Sequence, residues 1–249
     1  MGSIKSALAA AVNRAARPLG VAVVPAWQWR DFSAGVVPRF RLGGAEFPCF
    51  LHHLNCGANP AAATERTVEL ALADRWLAAA PPARVVEVGA VTPYYWPGRV
   101  ARVADPADPH PAVTDRLPVG RLDLTGLAVL SLSTFEHIGS GEYGLAPDPP
   151  ALRAAVDQLC REAAAFLVTV PTGYTPGSDA VFLAPPPSGV AAYYLVRQPV
   201  PPYWREVPDP AAAARGYGPA ASPVPGSLGA NGLVVWERGG FLAAAGSGA

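Results

Sequence analysis

"VVEVGAVTPYYWPG", residues 85–98, is the stretch on which the fold of this chain turns. Three valines around an acid run into Gly89, the pattern of a buried strand that ends where a phosphate or a nucleoside would sit. Ala-Val-Thr-Pro then stands where a second and third glycine would complete a nucleotide-binding turn. Pro93 and Pro97 leave no room for the helix that would follow it. By itself the stretch fits either a remodelled cofactor turn or an ordinary strand end.

Working outward, a helix is expected upstream, from Asn59 as cap and Pro60 at its first position to the break at Pro81–Pro82. Val68, Ala71, Leu72, Trp76 and Ala79 would share its buried face. Downstream, "RVARVAD" (99–105) and "LAVLSLS" (127–133) read as further buried strands, the second apolar enough to lie centrally in a sheet. Asp148 and Pro149–Pro150 open another helix, with Leu152, Val156, Leu159, Cys160 and Ala163 as its stripe. "FLVTVP" (166–171) is the next strand. "AAYYLVRQ" (191–198) and "GLVVWERG" (232–239) would close the sheet as an antiparallel hairpin at its edge. Strands alternating with helices predict an α/β fold with a mostly parallel, open, Rossmann-like sheet.

The chain has 249 residues, no net charge, 29 prolines, 25 glycines and three cysteines. Neutrality argues against nucleic acid as the partner, and the odd cysteine count against a disulfide framework. The expected compartment is the cytoplasm. The apolar run near the N-terminus is too short and alanine-rich for a signal peptide or a membrane span. Ile4, Leu8, Val12 and Ala15 instead suggest a packing helix ending at Pro18. The organisation expected is an N-terminal helical or lid segment over 1–58, an α/β domain over 59–240 and a frayed tail over 241–249. A homodimer is left open.

In open α/β sheets ligands sit beyond the carboxyl ends of the strands. The first such end carries Glu87 and Gly89, followed by Thr92, Tyr94 and Tyr95; the second carries Asp105, sixteen residues past Gly89. A carboxylate at that spacing can accept ribose hydroxyls. After the third strand comes "STFEHIGSGEYG" (133–144), an acid and a base side by side in a glycine-flanked loop. After the fourth comes "PTGYTPGSD" (171–179).

"TERTVEL", "VVEVGAVTPYYWP", "LSLSTFEHIGSGEYG", "LVTVPTGYTPGSD" and the late "WREV" together resemble a compact bacterial branch of the class I S-adenosylmethionine-dependent methyltransferases. They do so in order and with similar spacing over about residues 39–236. The resemblance implies that Glu87 and Gly89 line the methionine end of S-adenosylmethionine. It further implies that Asp105 takes the ribose, that Asp123 faces the adenine, and that Ser133, Glu136 and His137 flank the methyl group. Tyr95, Tyr143 and Tyr174 would then touch a small-molecule substrate. His137 is the expected base, because a neutral imidazole is available at physiological pH, and Glu136 is the alternative. The activity implied is methyl transfer to oxygen or nitrogen of a small biosynthetic intermediate. Two alternatives stand beside it: the same fold catalysing a cyclisation or elimination, and a non-catalytic scaffolding subunit. In this setting "VVEVGAVTPYYWPG" reads as a remodelled cofactor turn.

"CFLHHLNC" (49–56) offers Cys49, His52, His53 and Cys56 as zinc-type ligands. Four ligands within eight residues are cramped for a zinc site, which normally joins two separated pairs. The expectation is a packing loop and no metal.

Overall fold

The computed structural model describes residues 37–52, 63–224 and 228–242. The helix expected over residues 4–17, together with Asn59, Pro60, His53 and Cys56, lies outside them.

The described chain is α/β, built on a seven-stranded sheet. A hairpin comes first, β1 (Arg39–Leu42) and β2 (Ala45–Pro48), joined by Gly43 and Gly44, both at positive φ. Such a two-residue turn suits the twist of an antiparallel pair, and glycine takes it without strain. Of the N-terminal segment expected over 1–58, the described part, 37–52, is this hairpin and the residues flanking it. Phe40, Leu42, Phe47 and Cys49 are buried in one apolar cluster with the sheet and the next helix.

Helix α1 (Glu65–Ala79) begins five residues later than Pro60 predicts, with Thr64 as its N-cap. Every residue from Thr67 to Ala73 is buried, so this half of α1 is enclosed on all sides and has no single stripe. Ala79, placed on the expected stripe, is exposed. The sheet follows with β3 (Val85–Val88), β4 (Arg102–Ala104) and β5 (Ala128–Leu132). Next come α2 (Pro149–Glu162), β6 (Ala165–Pro171), the short α3 (Pro176–Phe182), β7 (Ala191–Arg197), β8 (Trp204–Val207), the single turn α4 (Pro210–Ala213) and β9 (Gly232–Arg238). β4 is shorter than "RVARVAD" suggests because Arg99 turns away to α1. There it pairs with Asp74 at 2.5 Å and lies over the Trp96 ring at 4.5 Å.

The strand order is β4-β3-β5-β6-β9-β7-β8. Pairings among β4, β3, β5 and β6 are parallel, while β6–β9, β9–β7 and β7–β8 are antiparallel. β7 and β9 do pair, but the expected hairpin at the edge is not what forms. β9 is buried along nearly its whole length and inserts between β6 and β7, where both its neighbours cover it. The edge goes to β8, which the sequence reading passed over. Its Arg205 and Glu206 lie between two buried residues, and charge suits an exposed edge.

Strand alternation sorts the core into two layers. Val85, Leu130, Leu132 and Leu167 face α1 and the hairpin, whereas Val86, Val88, Val129, Phe166 and Val168 face α2 and α3. By the same alternation Glu87 and Thr169 fall on the α1 face. Both are fully buried there, and the site is built on them.

Candidate functional site

A cleft of about 1290 Å³ opens at the carboxyl ends of β3, β4, β5 and β6. That is more than the roughly 300–1,000 Å³ of a pocket for one drug-sized molecule, so a cofactor and an acceptor can share it. Gly89, Tyr94, Tyr95, Asp105 and Asp108 line it from the β3–β4 side, and Ser133, Glu136, His137 and Tyr174 from the β5–β6 side. Glu65 and Arg66 reach it from the start of α1.

The turn after β3 folds around its own acid. Glu87 Oε1 accepts the N–H groups of Val91 at 2.9 Å and Thr92 at 2.7 Å, and Oε2 accepts the Thr92 hydroxyl. Burial pushes the Glu87 carboxyl up to about 7, against the pull of these donors. Only a single turn of tight helix, Thr92–Tyr94, follows. The N–H of Gly89 bonds the Ala104 carbonyl and that of Ala90 bonds Asp105 Oδ2. Each N–H from Gly89 to Thr92 therefore already has an acceptor within the chain. Glu87 braces the turn from behind and is not part of the cleft wall.

Asp105 is held from three sides. Oδ1 accepts Ala107 N at 2.8 Å and Asp108 N at 2.7 Å, and Oδ2 accepts Ala90 N at 3.2 Å. Three of its roughly four lone-pair positions are engaged in this way, and the residue lines the cleft. Asp108 stands beside it and accepts the Tyr94 hydroxyl at 3.0 Å. Asp123 is not brought into this group. It is exposed, accepts the Thr125 N–H at 2.9 Å, and does not line the cleft.

Past β5 the chain makes a strained corner at Ser133, φ +44°. Its hydroxyl donates to Glu69 Oε1 at 2.5 Å, and Thr169 donates to the same oxygen at 2.7 Å. The other Glu69 oxygen pairs with Arg66 at 2.8 Å. Glu69, fully buried on α1, thus ties three elements together beneath the cleft. Glu136 follows, 2% exposed, with Oε2 lacking any hydrogen-bond partner, and burial raises its carboxyl well above the usual range.

His137 Nδ1 lies 2.6 Å from Glu142 Oε2, and Nε2 lies 3.6 Å from Glu136 Oε1. With Nδ1–H donating to Glu142, the lone pair falls on Nε2. The His137 bond holds the Glu142 carboxyl below its ordinary value, helped by the hydroxyls of Tyr174 at 2.7 Å and Ser140 at 3.0 Å. Tyr143 and Tyr174 flank the imidazole, with ring centres 5.1 and 4.7 Å away. Tyr95 lines the cleft from the opposite side, edge-on to Phe50 and His52. An imidazole fixed by a carboxylate in the wall of a cleft is equipped to take a proton from a bound hydroxyl or amine.

The sequence reading missed Glu142, Glu69 and Arg66. Glu142 sits inside the quoted "STFEHIGSGEYG", and its spacing five residues past His137 across two glycines is the signal that a return turn could join them. Glu69 was legible only as an acid amid the apolar run "TVELALA". Comparison with protein-family models, with curated proteins and with solved structures finds no match to this chain.

At the other candidate cluster, burial pushes the Cys49 thiol up to about 12, and a metal there would have to displace its proton. His52 Nε2 is 2.8 Å from the Thr64 hydroxyl. Elemental analysis of untagged protein is expected to find well under one zinc per chain. A stoichiometric zinc whose removal unfolds the protein would reverse this reading. Among the described residues no helix is long and apolar enough to cross a membrane.

Proposed function

We propose that the protein transfers the methyl group of S-adenosylmethionine to an oxygen or nitrogen of a small molecule, on a sheet of the class I methyltransferase type. The observation that carries this is His137. It is oriented by Glu142 and lines a large cleft whose other side holds a backbone-anchored carboxylate, Asp105, at the end of β4, across β3 from the strand that His137 follows. Four parallel strands followed by an antiparallel closure, with a turn in place of the first helix, support the same reading.

The residues present fit the cofactor at its ribose, where the carboxylates of Asp105 and Asp108 both line the cleft. They fit less well at the methionine end, because the turn's amide donors are all engaged. Arg66, on the cleft wall, favours a charged Glu87 behind that turn. When bound, the cofactor supplies an electrophilic methyl group. The chain's own part is alignment of the acceptor and removal of its proton by His137 Nε2, with Glu142 stabilising the imidazolium that results. Tyr95, Tyr143 and Tyr174 supply aromatic wall against which the acceptor would pack.

A hydrogen bond to a charged acceptor contributes about 1.5–3 kcal/mol. Asp105→Ala is therefore expected to weaken S-adenosylhomocysteine binding by roughly ten- to a hundred-fold in calorimetry. Unchanged affinity in a folded variant would remove Asp105 from the site. The engaged turn favours a second reading, the same cleft catalysing a cyclisation or elimination. A product one methyl group heavier than its substrate separates the two.

A further inference from the structure

Glu136 poses a problem that the proton-transfer role of His137 does not solve. A buried carboxylate is tolerated when charges or donors surround it, and leaving it unpaired costs several kcal/mol. The cations around Glu136 are already placed elsewhere. Arg66 Nη1 is 2.8 Å from Glu69 Oε2, and His137 Nε2 stands 3.6 Å from the other oxygen of Glu136, beyond hydrogen-bond length. Oε2 is left without a partner in a residue that lines the cleft. Its further neighbours, Glu65 and Glu69, are acids, and both disfavour its ionisation.

The cleft around this acid is lined with aromatic rings. Tyr143, Tyr174 and Tyr217 line it together with Glu136. Tyr143 and Tyr174 flank the neighbouring His137 at 5.1 and 4.7 Å, and Tyr174 is edge-on to Tyr217 at 5.0 Å. A buried acid with an unpartnered oxygen, in a cleft that three tyrosines share, matches an ammonium group. Such a group brings a positive charge and three donors, and it is attracted to ring faces. A carboxylate or phosphate seated at this end would meet Glu65 and Glu136, with Arg66 beside them in an ion pair with Glu69.

We propose that the acceptor bound in this cleft carries a protonated primary amine, seated on Glu136 among Tyr143, Tyr174 and Tyr217. The inference rests on reading the cleft as an acceptor site. The seated ammonium has no lone pair, so it anchors the acceptor, while a separate oxygen or nitrogen of the same molecule faces His137. Binding the cation favours the ionised form of Glu136, so the amine enters as a proton leaves.

The test compares 2-phenylethylamine, 2-phenylethanol and phenylacetate on the full chain by ligand-observed NMR and calorimetry. The amine is expected to bind about tenfold or more tightly than the alcohol, with phenylacetate weakest. Calorimetry in buffers of different ionisation enthalpy is expected to show proton release with the amine alone. Glu136→Gln, which keeps the shape and removes the charge, is expected to abolish the preference for the amine. Equal binding of amine and alcohol overturns the proposal, as does no amine binding at millimolar concentration or a Glu136→Gln protein that keeps the preference. All three leave S-adenosylhomocysteine binding, measured on the same wild-type sample, to stand or fall separately. Failure of S-adenosylhomocysteine to bind while the amine preference persists overturns the methyl-transfer reading and leaves the amine seat.

Discussion

His137→Ala is expected to slow turnover by roughly 10²–10⁴-fold, the range of general-base catalysis, with S-adenosylhomocysteine affinity within a few-fold of wild type. Turnover is read on the acceptor identified by its gain of one methyl group. The expectation follows from geometry. Glu142 holds Nδ1 at 2.6 Å, two tyrosines flank the ring, and the residue lines the cleft. Glu142→Gln separates a positioning carboxylate from a merely structural one. Without the carboxylate the imidazole loses the partner that orients it, so kcat is expected to fall with KM little changed, and Glu142→Asp to recover part of the loss. A Glu142→Gln protein with wild-type kcat would leave Glu142 as a turn residue only. A His137→Ala protein with wild-type turnover would end the catalytic role of the histidine.

Gly89→Ala is expected to destabilise the protein by about 2–5 kcal/mol. Gly89 has φ +89°, and a β-carbon there would lie 2.0 Å from Thr134 Oγ1 and 2.8 Å from Thr134 Cγ2. Left-handed backbone costs a non-glycine residue about 1–2 kcal/mol, and forced overpacking about 1–3 kcal/mol more. For a chain of this size each kcal/mol lowers the melting temperature by roughly 2–4 °C, so a drop on the order of 5–20 °C is expected. Thr134→Gly in the same chain removes the clash but not the backbone strain, and is expected to restore only part of the loss. A Gly89→Ala protein that melts with wild type would mean that the β3 turn is not held against the β5 loop.

The opening stretch shows how far reading a sequence carries. Local signals stated that Val85–Val88 is a buried strand, that Gly89 ends it, and that Pro93 forbids a helix after it; each needs only neighbours along the chain. "LAVLSLS" and "FLVTVP" were legible for the same reason, since a strand covered on both faces has to be apolar throughout. Gly89, Asp105, Glu136 and His137 were found because strands in such a sheet end on one edge, and their following residues collect there.

What required the tertiary structure was every question of partner. Glu87 was legible as a carboxylate at a strand end, but its direction was not. Only the folded turn shows it accepting from Val91 and Thr92 instead of facing the cleft. Asp123 has the residue type of a ligand and the wrong place, exposed on a loop. β9 was legible as a strand, yet its insertion between β6 and β7 depends on which edges remain open once the others have paired. Glu69 meets Thr169 across a hundred residues, and no periodicity encodes such a contact. The sequence by itself determined the central strands, the second helix and the chemical groups that stand at the strand ends, because burial and backbone conformation there are local demands. The tertiary structure alone decided which of those groups are spent on holding the fold and which are left facing the cleft. A hydrogen bond is made by whichever donor the rest of the chain brings within 3 Å.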